Sequence, residues 1–126
     1  MNLYFEHTDF FGSLKLFTDI EKGIFLVKPR GIVNPSLVKL DLKYANNFSL
    51  EVNKEWIYIV DTEDVLFPNP LNLFYLSRIK TLPNRSKYYI FAPSFIVRLL
   101  GRLTEFIIKP DKVISSRSEF ESLLRQ

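Results

Sequence analysis

Residues 56–82 read WIYIVDTEDVLFPNPLNLFYLSRIKTL, and the parsing of this stretch decides the fold. Its first six residues, Trp56–Asp61, read as a strand, and the first five of them, WIYIV, are apolar, β-branched or aromatic without alternation, the pattern of a strand covered on both faces. Further on, Phe67–Phe74 (FPNPLNLF) sets two prolines and two asparagines inside an otherwise apolar run. A helix start accounts for them. The first backbone N–H groups of a helix lack internal partners, so Asn69 is read as the cap and Pro70, with no N–H to lose, as the first helical residue. LNLFYLSRIKTL then follows as a helix over 71–82 that buries Leu71, Phe74 and the apolar residues after them.

The same order recurs on either side. Gly23–Lys28 (GIFLVK) reads as a buried strand, followed by Asn34-Pro35-Ser36 and a helix over LVKLDLKYANNF. Lys87–Phe91 (KYYIF) is another strand, leading through Pro93-Ser94 into FIVRLLGRLTEF. Lys112–Ser115 forms a short last strand before SEFESLLR, where Ser118 and Glu121 have the spacing of a capping box. Near the start, Phe10–Phe17 (FFGSLKLF) precedes GIFLVK closely, with Asp19, Glu21 and Lys22 between, which predicts an antiparallel hairpin. Strands that alternate with helices need crossover connections and therefore run mainly parallel. The expected fold is α/β: a small mixed, mainly parallel sheet with an N-terminal antiparallel hairpin and about four helices, forming a single domain over residues 1–126.

A chain of 126 residues is long enough to bury one core, and 47% hydrophobic with 25% charged residues is the balance of a folded protein. There is no cysteine, which excludes disulfides, zinc thiolates and thiol nucleophiles. The opening MNLYFEHTDFF has neither the basic start nor the continuous apolar centre of a secretory signal, and no apolar stretch is long enough to span a bilayer. A cytoplasmic location is expected. The net charge of +3 is unevenly spread: residues 1–77 carry seven Lys/Arg against ten Asp/Glu (−3), and residues 78–126 carry ten against four (+6).

The order of hairpin and repeated strand–helix units resembles the STAS domain, the fold of bacterial anti-sigma-factor antagonists, over roughly residues 20–124. VDTEDVLFPNPLNLF is similar to that family's segment in which a strand ends in Asp and an Asp-Ser-Ser-Gly signature opens a helix. KYYIFAPSFIVRLL and KVISSRSEFESLL resemble the units that follow. The resemblance implies a non-enzymatic interaction module that binds a protein partner of the anti-sigma-factor or kinase-like-regulator kind. The signature falls on Asn69, Pro70, Leu71 and Asn72, which become the implied partner-binding residues. In the family a serine after the signature Asp accepts phosphate, a group that suits a helix N-terminus. Here Pro70 has no hydroxyl, so the phosphoswitch is chemically absent at that position. An alternative register places the signature on Asp61-Thr62-Glu63-Asp64 and keeps Thr62 as acceptor, but it puts Pro68 and Pro70 inside the early turns of the helix.

Other chemistries are less well supplied. Asp61, Glu63 and Asp64 lie just past a strand end, where a metal-dependent enzyme site could form from oxygen ligands. A phosphorelay receiver would use such an Asp and a Lys-Pro pair like Lys109-Pro110, yet it also needs an acidic pair where this chain has Lys28, Pro29 and Arg30. No metal or cofactor is therefore expected. His7 is the only histidine and has no Ser/Asp arrangement placed beside it. Arg78, Lys80, Arg85 and Lys87 surround Tyr88 and Tyr89, but tyrosines in so apolar a strand belong to a core, and no nucleic-acid partner is expected. Phe95, Ile96, Leu99, Leu100 and Leu103 form a stripe at helical spacing, with Arg98 and Arg102 on another side. Packing on the sheet explains the stripe; if it projected outward, apolar-ligand or lipid binding would be the alternative function.

Overall fold

The computed structural model describes residues 1–67, 70–72, 75, 77–103 and 110–125. Its elements run β1 (Asn2–Thr8), β2 (Gly12–Asp19), β3 (Ile24–Ile32), α1 (Pro35–Val52), β4 (Trp56–Asp61), β5 (Val65–Phe67), β6 (Arg85–Phe91), α2 (Phe95–Leu103), β7 (Lys112–Ile114) and α3 (Arg117–Arg125). The strands form one sheet in the order β1-β2-β3-β4-β6-β7, and β5 pairs with the end of β3. β1, β2 and β3 are antiparallel, whereas β3, β4, β6 and β7 run parallel. The expected α/β class and mixed sheet are what the chain adopts.

Period-two alternation divides the side chains between two faces of this sheet. Phe25, Val27, Trp56, Tyr58 and Tyr88 point to one face and pack with Leu37, Val38, Ala45 and Phe48 of α1. Ile24, Leu26, Ile59, Phe91 and Ile114 point to the other and pack with Phe120 of α3. That double burial explains why GIFLV and WIYIV carry apolar residues without a break. Two polar links secure the first face: Trp56 Nε1 donates to the Pro83 carbonyl at 2.7 Å, and the Tyr58 hydroxyl donates to Asp41 Oδ2 inside the core.

Several expectations need correction. The N-terminal hairpin is a three-stranded meander, because NLYFEHT pairs with β2 as an additional edge strand. Phe10 and Phe11, expected in the second strand, lie in the turn before it. Among the described residues there are three α-helices, not four. The described parts of the helix expected over 71–82 are the 3₁₀ turns Pro70–Asn72 and Ser77–Thr81, with Tyr75, in α-helical conformation, between them. Ile79, in the second turn, is fully buried, and Tyr75 packs against the same core.

The caps differ in detail too. Asn34 precedes α1 in an extended conformation and Pro35 opens the helix, but the Asn34 side chain makes no cap hydrogen bond; its carbonyl accepts from Leu37 N at 3.0 Å. At α3 the cap is Ser116, two residues before the expected Ser118, and its Oγ accepts from Glu119 N at 3.4 Å. The Ser-x-x-Glu spacing is present in Ser116–Glu119 as well, so the motif was right and its register was not.

Gly31 sets how closely the first turn approaches the sheet. Its φ is +77°, and a Cβ there would stand 2.8 Å from the Phe11 carbonyl oxygen. Gly31→Ala is expected to lower stability by about 1–3 kcal/mol through backbone strain and this clash. The denaturation midpoint measures it, and an unchanged midpoint would show that the turn yields without cost.

Candidate functional site

The C-terminal ends of β3, β4, β6 and β7 all lie along one border of the sheet, the usual place for ligands in open parallel sheets. Because β2 is antiparallel to β3, the turn between β1 and β2 reaches that same border. Asp9 organises this turn: its Oδ1 accepts from Phe11 N and Gly12 N, both at 2.8 Å, while Asp9 N donates to the Gly12 carbonyl. Ile32 N donates to the Phe11 carbonyl at 3.1 Å, which ties the turn to the end of β3. The result is a fixed tip carrying two aromatic rings, edge to face at 5.0 Å, with Phe10 92% exposed and Phe11 57%.

Two further segments join the tip at the end of β3. Gly31 N donates to the Asp64 carbonyl at 2.9 Å, and Gly31 and Ile32 pair with Val65 and Phe67 of β5. Val65 packs into the core, so its neighbour Leu66 turns outward and is 81% exposed. The 3₁₀ turn Pro70–Asn72 is anchored by Asn72, whose Nδ2 donates to the Val33 carbonyl at 2.8 Å. Three connections therefore converge on residues 31–33.

The expected partner-binding residues separate into different roles on this frame. Asn69 lies outside the described residues. Pro70 opens the 3₁₀ turn, Leu71 projects from it with 70% exposure, and Asn72 is buried as the anchor. Of the three described, Leu71 offers side-chain surface to a partner and Asn72 positions it. Phe10, Phe11 and Leu66 were not singled out from the sequence. The available signal was Asp9 followed by Gly12, an Asp/Gly turn pattern that interrupts the strand reading of FFGSLKLF.

Beside this apolar rim sits a charged cluster. Asp61, at the end of β4, is almost fully buried, with Lys28 Nζ at 4.0 Å and Arg117 Nη1 at 3.9 Å from its Oδ2. Its Oδ1 accepts from Glu63 N at 3.0 Å. Arg117 also pairs with Glu63, and its guanidinium lies over the rings of Phe91 (4.7 Å) and Phe120 (5.5 Å). Burial pushes the Asp61 carboxyl above its usual range, Lys28 and Arg117 pull it back, and Asp64 adds to the rise. Of the acidic trio Asp61, Glu63 and Asp64, the first two thus meet cations supplied by the protein itself. Among the described residues no group of three or more His, Asp or Glu side chains comes together to hold a metal ion.

The remaining sequence candidates are placed as follows. Thr62 Oγ1 donates to the Phe91 carbonyl at 2.8 Å, fastening β4 to β6. His7 is on the exposed strand β1 with its ring parallel to that of Phe5. Tyr88 is buried in the α1 core and Tyr89 packs on the opposite face, so neither forms an open stacking platform.

Fold and border together define a small α/β fold with a mixed sheet and an apolar rim at the strand ends. No protein-family model matches the chain, and no curated protein matches it.

Proposed function

We propose that this chain is a non-enzymatic interaction module that docks a protein partner through the rim formed by Phe10, Phe11, Leu66 and Leu71. The reading keeps the interaction role and the regulator class of partner, an anti-sigma factor or kinase-like protein, that the STAS resemblance implies. It needs no serine phosphoswitch, since position 70 is proline. The observation that carries it is the rigid Phe10–Phe11 tip. Aromatic side chains held outward by three hydrogen bonds to and from Asp9 lose little freedom on binding, which is the property of an interface anchor. Arg30 and Asp64 provide charged neighbours to the apolar surface, as at the edge of a docking patch. The partner is accordingly a protein with an apolar groove that receives the two rings.

Affinity capture from the source cell, with the wild-type chain and a Phe10→Ser/Leu71→Asp variant side by side, identifies the partner. The purified pair is expected to show a Kd raised at least about tenfold by the double substitution. Both residues are exposed, so the variant should keep the wild-type unfolding midpoint. An equal Kd for the two proteins would move the docking surface elsewhere.

A further inference from the structure

A second exposed apolar feature lies on α2 and is independent of the rim. The stripe at helical spacing was expected to pack on the sheet, yet Phe95 is 70% exposed and Leu99, one turn later, 46% exposed. They occupy one outward side of the helix. Arg98 and Arg102 are also one turn apart, and α2 contains no acidic residue. Arg98 Nη1 donates to the carbonyls of Ala92 (3.3 Å) and Pro93 (3.2 Å), which fixes the first turn of the helix to the end of β6. Arg102, in the last turn, is exposed. The helix belongs to the half of the chain, residues 78–126, in which ten Lys/Arg stand against four Asp/Glu.

We propose that α2 seats the protein on an anionic lipid surface, with Phe95 and Leu99 entering the headgroup boundary and Arg102 meeting lipid phosphates. Charge complementarity selects the occupant: a helix whose only charges are guanidinium groups attracts a negative surface, and arginine stems cover apolar surface while their heads stay at the polar level. A helix of nine residues lies along such a surface, and among the described residues no helix is long and apolar enough to cross a membrane. This contact goes beyond protein docking at the rim and uses different side chains.

Co-sedimentation of the purified chain with lipid vesicles tests it. Vesicles of phosphatidylcholine with about a third phosphatidylserine should bind the protein at low ionic strength, and pure phosphatidylcholine vesicles should not. Phe95→Ser/Leu99→Ser should weaken binding by at least about tenfold while leaving the unfolding midpoint in place. Arg102→Glu should weaken it in the same direction and flatten its salt dependence. The Phe10→Ser/Leu71→Asp variant should bind vesicles as the wild type does, which separates this surface from the rim. Absence of binding to anionic vesicles at low salt would overturn the proposal, as would undiminished binding by the Phe95/Leu99 variant. Salt-insensitive self-association in sedimentation, abolished by that same variant, would reassign the helix to a protein contact.

Discussion

Asp41→Asn is expected to remove most of the dependence of stability on pH between about 4 and 7 and to make the protein more stable than wild type at pH 8. Asp41 projects from α1 into the core, where Tyr58 donates to its Oδ2 and its Oδ1 is buried with no hydrogen-bond partner. Burial raises its pKa from 3.8 to about 7, against a smaller lowering by the Tyr58 hydrogen bond. Burial also raises the pKa of Tyr58 and Tyr88, which stay neutral throughout this range. The folded state therefore keeps a proton that the unfolded chain releases above about pH 4, and folding becomes less favourable as pH rises through the window. One proton over roughly three pH units corresponds to on the order of 4 kcal/mol. Asparagine accepts the same Tyr58 hydrogen bond and carries no charge to bury. Chemical denaturation at pH 4, 6 and 8 reads the difference; parallel pH profiles for the two proteins would mean that Asp41 is ionised in the fold without penalty.

The second large effect is expected at Phe120, which fastens α3 to the sheet. Its ring stacks on Phe91 at 4.5 Å and 12°, and with Leu123 and Leu124 it closes the smaller of the two cores. The helix is otherwise held by polar links near its ends: Arg117 to Asp61 and Glu63, and Lys22 Nζ to the Leu124 carbonyl at 3.4 Å. Phe120→Ala should cost about 3–5 kcal/mol of unfolding free energy through lost burial and the cavity left behind. Amide exchange should accelerate first along α3, because the α1 face retains its own packing. A loss under about 1 kcal/mol with α3 protection intact would show that the polar links alone hold the helix.

The strands GIFLVK, WIYIVD and KYYIF were legible because burial on both faces leaves an unbroken apolar run. β1 was missed because its pattern is disguised: Tyr4 and Phe5 both pack toward the α1 core across an irregularity in register, so alternation fails where it was needed as a signal. The apolar spacing of the segment after Pro70 permits a helix. Over Pro70–Asn72 a 3₁₀ turn places Leu71 in solvent and Asn72 beneath it, a distinction of rise and pitch that residue types do not encode. The exposure of Phe10 and Phe95 was equally invisible, since a large apolar residue announces burial whether it is in the core or at an unoccupied surface.

The two borders of the sheet are unequal, seven residues in β1 and three in β7. Backbone donors and acceptors left open on the long border are a template for another strand, and the register irregularity between Leu3 and Phe5 interrupts that template. A border of three residues offers little ladder to a neighbour and a bulged one offers a broken ladder, so both ends of the sheet resist extension by a further strand.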